Sequence, residues 1–120
     1  MKKLYNSTKY AIAGFIQFIR TDRNGQTELV SAIIAIGLGA YLNISSTEWG
    51  LVIICIGAVL AAEMFNHAIE KTCDHISPDH HKGIGIIKDV AASAVMMTVL
   101  MSLVICYIVF FSKIVARFVH

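Results

Sequence analysis

Residues 63–74 read EMFNHAIEKTCD and follow directly on an apolar run, Trp49 to Ala62, with the character of a membrane span. Glu63, Asn66, Glu70 and Asp74 are three, four and four residues apart. On a helix turning about 100° per residue they share a sector of roughly 80°. Carboxylates at membrane depth are costly and face a protein interior or a polar cavity. Three on one face, with an amide between them, mark a candidate site. The plain alternative is a polar network between helices, and Asp74 and Glu28 read equally well as solvated charges at helix ends.

Further oxygen ligands, Asp22, Glu28 and Asp89, and the cations Lys82 and Lys88 with His81 beside them, lie in the polar segments around the spans. Hard oxygen ligands with a few cations suit Mg²⁺ and a polyphosphate. Magnesium takes one or two carboxylates, with phosphate oxygens and water completing its octahedron, and a lysine adds a point charge on phosphate. Glu63, partly withdrawn from water, is suited to work as a general base on a lipid hydroxyl. The reaction these groups point to is phosphoryl transfer from a soluble nucleotide to a membrane alcohol. There is no Walker A or protein-kinase loop, and Lys82-Gly83-Ile84-Gly85 does not make one.

The elements that must position this face are apolar. Hydrophobic residues make up 57% of the 120, against about 45–50% in soluble domains, which predicts one all-α membrane domain over 1–120. A net charge of +2 without a basic and aromatic patch excludes nucleic acid as a partner. In residues 8–20, Ile12, Phe15, Ile16 and Ile19 stripe one side and Lys9, Gln17 and Arg20 another. That is the pattern of an amphipathic helix at the membrane interface. Spans are expected at about 29–45, 49–73 and 89–111. A polar turn with Asn24-Gly25 at 21–28, a short loop at 43–48 and a long loop at 75–87 connect them. From the interfacial anchor Trp49 to Glu63 is about 21 Å of helix, which carries Glu63 toward the far side of the bilayer.

Lys2, Lys3, Lys9, Arg20 and Arg23 precede the first span; Lys71, Lys82 and Lys88 surround the second loop, and the first loop has no basic residue. The positive-inside rule then puts the N-terminus and the second loop in the cytoplasm, with Lys113 and Arg117 as a minority against it. No cleavable signal peptide is expected after Lys2-Lys3. Cys55, Cys73 and Cys106 read as reduced thiols. The group Cys73, Asp74, His75, His80 and His81 invites a transition metal but matches no common zinc spacing. His67 either lines the polar face or makes a helix contact, and the contact is the expectation. Met96, Met97 and Met101 read as packing groups, and Gly37, Gly39, Ala91, Ala92 and Ala94 as points of close helix approach.

The run E-x-x-N-x-A-I-E-x-x-x-D, then H-x6-K-D, then A-V, resembles the small prokaryotic diacylglycerol kinase family, which includes undecaprenol kinases. Here it falls on Glu63, Asn66, Ala68-Ile69-Glu70, Asp74, His81, Lys88-Asp89 and Ala94-Val95. The resemblance implies three transmembrane helices and a surface helix, assembled as a homotrimer with active sites shared between subunits, in the bacterial cytoplasmic (inner) membrane. It implies ATP as co-substrate, Mg²⁺ as cofactor and a membrane lipid alcohol, diacylglycerol or undecaprenol, as acceptor. By position, Glu63 is implied as general base with Asn66 in support, and Glu70 and Asp22 as metal ligands. Tyr10, Asp79, His81, Lys88 and Asp89 are implied as nucleotide-binding residues, with Glu28 as a further candidate. The family's turn carboxylate is usually Glu, so Asp22 is one methylene shorter. Ala92 and Glu48-Trp49 lean toward the undecaprenol branch. Among readings from other classes, a small proton-coupled transporter using Glu63 has one span too few, and a structural or pore-forming peptide has no use for the carboxylate face.

Overall fold

The structure is a computed structural model that describes residues 1–77, 79 and 81–119. His80, weighed above with the zinc candidates, lies outside the described residues. Four helices follow one another: α1 (Lys2–Thr21), α2 (Arg23–Leu42), α3 (Ser46–Ile76) and α4 (Lys82–Val119). α2, α3 and α4 are long and apolar enough to cross a membrane. At 1.5 Å per residue they run about 30, 46 and 57 Å, so α3 and α4 outreach a hydrocarbon core of about 30 Å.

The connections are shorter than the sequence predicts. The polar turn expected at 21–28 shrinks to Asp22 alone. Its backbone N–H closes α1 on the Phe18 carbonyl, and its side chain accepts from the Gly25 N–H to cap α2. An aspartate in this role satisfies a helix N-terminus at once, which turns Asn24-Gly25 from a turn into a first helical turn. Gly25 is needed for space: a Cβ there would stand 2.5 Å from the Phe18 ring. The loop expected at 43–48 reduces to residues 43–45. Asn43 ends α2 in the left-handed conformation (φ 53°), the Ile44 N–H bonds the Gly39 carbonyl, and Ser45 and Glu48 form a reciprocal capping box that starts α3.

The long loop expected at 75–87 also contracts. α3 runs to Ile76 and α4 begins at Lys82, so Gly83 and Gly85 are helical. The surface helix expected at 8–20 starts earlier, at Lys2, and the third span expected to stop near 111 continues to Val119. Two contacts account for that last extension: Lys113 pairs with Glu48 at 3.3 Å, and the Arg117 guanidinium lies 4.5 Å from the Tyr41 ring centre. Both cations that ran against the charge rule therefore have local partners on α2 and α3.

The apolar core sits where α2 turns into α3. Leu42, Ile44, Val52, Val109 and Phe110 are buried together, with Trp49 packed against them. Trp49, expected as an interfacial anchor, fills the space over Gly39, where a Cβ would lie 3.0 Å from its ring. Gly39 and Ala91 are buried as close-approach residues should be, whereas Gly37, Ala92 and Ala94 are not. Met96, Met97 and Met101 are 62, 69 and 44% exposed, so within this chain they are not packing groups; they face outward with most of the apolar surface of α4.

The α1–α2 corner generates a stability prediction. Gly25→Ala gains helix propensity of at most about 1 kcal/mol but overpacks Phe18, at a cost of about 1–3 kcal/mol. The melting temperature in detergent is expected to fall, and Phe18→Ala is expected to cost less in the Gly25→Ala background than alone. Strictly additive melting shifts would show that the two residues do not meet.

Candidate active site

Glu63 and Asn66 are the polar residues that α3 buries, at 3% and 8% exposure. Each keeps one side-chain oxygen, Oε2 of Glu63 and Oδ1 of Asn66, fully buried without a hydrogen-bond partner among the described residues. An unsatisfied buried polar atom costs free energy, and a charged one more, so these atoms call for a further partner. The other charged groups that act on Glu63 are Asp22, Glu28 and Glu70, all carboxylates. Asp22 arrives from the α1–α2 corner, Glu28 from α2 and Glu70 from two turns further along α3.

Asp22 is held at both oxygens. Oδ1 accepts from the Gly25 N–H at 3.1 Å, and Oδ2 lies 3.0 Å from Nδ1 of His67. His67 stands one turn beyond Glu63, at the position the family motif leaves open, and the Phe18 ring meets it edge-on with centroids 5.7 Å apart. The helix contact expected of His67 is therefore present, and it reaches a candidate metal ligand.

A second polar group lies further along. Asp74, about 16 Å from Glu63 along the helix, accepts a hydrogen bond from Nζ of Lys88 at 2.7 Å. Lys88 belongs to α4, so this exposed pair joins the polar ends of α3 and α4. Before it, His81 uses Nδ1 to accept from the Gly83 and Ile84 N–H groups, at 3.1 and 3.4 Å, and caps the start of α4. Asp79 and Asp89 are exposed, and their carbonyls accept from Ser77 and Ser93. Tyr10 is 73% exposed on α1, about 18 Å along that helix from Asp22. One chain thus places Asp22, Glu28 and Glu70 within electrostatic reach of the buried Glu63, with Asn66 buried beside it and Glu70 itself exposed, sets Asp74, His81 and Lys88 at the polar end, and leaves Tyr10 apart.

Of the zinc candidates, Cys73 is buried, Asp74 is engaged by Lys88, His75 contacts the Lys71 carbonyl and His81 caps α4. Among the described residues no three His, Cys, Asp or Glu side chains form a self-contained metal cage. Magnesium needs none when phosphate oxygens supply most of its shell. Sequence reasoning missed the link between His67 and Asp22, because it depends on how the α1–α2 corner packs on α3.

The sequence pattern of the prokaryotic diacylglycerol kinase family matches residues 9–110, a stretch that holds all of these candidates. The chain belongs to the prokaryotic diacylglycerol kinase family. It is 31% identical over 113 residues to an undecaprenol kinase of Bacillus subtilis, covering 94% of this chain and 92% of that one. Diacylglycerol kinases of Pseudomonas aeruginosa and Haemophilus influenzae are 29% and 31% identical over 94 residues. Each match covers 78% of this chain, and 76% and 80% of the relatives respectively. Membership makes this a membrane lipid kinase and leaves the transporter reading without support.

Two lipid-kinase carboxylates that look alike in sequence should behave differently on removal. Asp22→Ala loses the α2 cap, worth about 1 kcal/mol, together with the bond to His67, and is expected to lower the melting temperature clearly. Asp74→Ala breaks an exposed ion pair and is expected to leave the melt unchanged. Equal shifts in a thermal melt of the two variants would contradict this division.

Proposed function

We propose that the chain is an ATP- and Mg²⁺-dependent kinase of a membrane lipid alcohol, working as a homotrimer with shared active sites in the bacterial inner membrane. The observation that carries the reading is the buried Glu63 with an unpartnered oxygen, set among three other carboxylates on a helix that runs on to the Asp74–Lys88 pair. So much negative charge, with His67 the one basic side chain bonded to it among the described residues, fits a divalent cation carrying phosphate. Glu70 and Asp22 would hold Mg²⁺, which neutralises charge on the nucleotide's phosphates.

Glu63 takes the proton of the lipid hydroxyl. The hydroxyl oxygen forms a bond to the γ-phosphorus, the bond to the bridging oxygen of the β-phosphate breaks in line, and ADP leaves. Asn66 orients Glu63 and the incoming hydroxyl. Asp79, His81, Lys88 and Asp89 bind the nucleotide toward water, with Lys88 exchanging Asp74 for phosphate. Glu28 and Asp74 are supporting carboxylates. Tyr10, remote from Asp22 in its own chain, serves a nucleotide held at a neighbouring subunit, in keeping with shared sites. The N-terminus and second loop face the cytoplasm, α1 lies at the membrane surface, and Lys113 and Arg117 are held on the opposite side by Glu48 and Tyr41.

The acceptor is diacylglycerol or undecaprenol. The long match to the undecaprenol kinase of Bacillus subtilis favours the second. Glu48 and Trp49 lend that choice no weight, because they stand about 21 Å from Glu63 and serve capping and core packing.

In bilayers, Glu63→Gln is expected to keep the folded oligomer and lose about 10²–10⁴-fold in turnover, the range for a general base. Labelled ATP, Mg²⁺ and a mixture of the two alcohols provide the assay, and the product ratio names the acceptor. Wild-type turnover in the variant would remove Glu63 from the chemistry. Glu70→Gln is expected to raise the Mg²⁺ or ATP concentration for half-maximal rate; unchanged dependence on both would remove it as a metal ligand.

A further inference from the structure

The catalytic reading leaves one half-buried contact without a purpose. Asp22 is the single residue between α1 and α2, and an aspartate side chain is one methylene shorter than a glutamate. A short side chain on a one-residue hinge reaches α3 only if something on α3 meets it. His67 does: its Nδ1 lies 3.0 Å from Oδ2 of Asp22, with the two side chains 19% and 11% exposed.

The surroundings make this a built contact. Oδ1 of Asp22 is fixed by the Gly25 N–H. Phe18, 4% exposed, packs over Gly25 and edge-on against the imidazole. A carboxylate can only accept, so Nδ1 carries the proton and donates whether the ring is neutral or charged. On α3, His67 lies one turn from both Glu63 and Glu70, so holding Asp22 to His67 also sets its distance from the buried carboxylate.

We propose that His67 is a positioning residue: it ties the short carboxylate of Asp22 to the polar face of α3 and so completes the metal-binding end of the site. The tie is a matter of geometry; its consequence for metal rests on the metal role proposed for Asp22. Nothing in it requires His67 to touch substrate or to exchange a proton.

Two substitutions separate donor from bulk. His67→Leu keeps apolar packing on Phe18 and removes the donor. His67→Asn places its amide N–H where Nδ1 stands, two bonds from Cβ, and keeps the donor. A hydrogen bond to a charged group is worth about tenfold or more in an equilibrium. In the full-length protein in bilayers, His67→Leu is expected to speed hydrogen exchange of the Gly25 amide roughly tenfold. It is also expected to weaken Mn²⁺ binding, read by electron paramagnetic resonance with a non-hydrolysable ATP analogue, by a similar factor. KM for Mg·ATP should rise in parallel, with kcat changed much less, and His67→Asn should restore all three. Gly25 exchange that is unaltered in His67→Leu, or a His67→Asn variant that behaves like His67→Leu, overturns the proposal. If Asp22→Asn leaves Mn²⁺ binding intact, the metal role of Asp22 fails, while the exchange measurement still decides whether His67 positions it.

Discussion

A carboxylate buried on a membrane-spanning helix is the constraint from which the rest of this structure follows. Glu63 is 3% exposed and has one oxygen with no partner among the described residues. Removing such a group from water is costly unless a compensating partner arrives. A fold built only for stability would place an apolar residue there at no loss. Asp22, Glu28 and Glu70, within electrostatic reach of it, add to the cost, since like charges repel. In the proposed mechanism that energy is recovered when a cation and a reacting hydroxyl enter.

Stability therefore has to come from elsewhere, and the structure separates the two tasks along its length. The apolar core of Leu42, Ile44, Val52, Val109 and Phe110 lies at the α2–α3 turn, far along α3 from Glu63. The same end carries the capping box of Ser45 and Glu48, the packing of Trp49 on Gly39, and the contacts of Lys113 and Arg117. Those last two residues lie beyond the stretch matched to the family. With one end locked, the other can tolerate repelling carboxylates. Its own fixings are small and polar: the Asp22 cap, the Asp74–Lys88 pair joining α3 to α4, and the His81 cap of α4.

What the sequence made legible was whatever depended on helical periodicity. The common face of Glu63, Asn66, Glu70 and Asp74, the three apolar helices and their order all follow from a repeat of 3.6 residues, and α3 buries Glu63 and Asn66 as that face requires. Connections were misjudged because Asn-Gly and Gly-x-Gly were read as breaks. In each case a side chain two residues upstream of the motif, Asp22 or His81, caps the next helix and draws the glycines into it. Contacts across elements were not legible at all. That His67 meets Asp22, or that Lys88 meets Asp74, depends on how the helices pack, which spacing within one helix does not encode. Methionines 96, 97 and 101 failed for a related reason: hydrophobicity says that a residue avoids water, not whether it faces its own chain, lipid or another subunit.

The same distinction bears on the buried polar groups that the described residues leave without partners. Ser102 joins Glu63 and Asn66 among residues with a buried oxygen lacking a partner, and it lines a cavity between α2, α3 and α4 that reaches Glu28. The outer surface of α4 is apolar over most of its length, and Tyr10 is held well away from the carboxylates of its own chain. Lipid can cover an apolar helix face but cannot satisfy buried oxygens deep in hydrocarbon. Nor can it bring a tyrosine to a nucleotide. A bound substrate or another protein surface could do both, which is the physical ground on which the proposed trimer with shared sites rests.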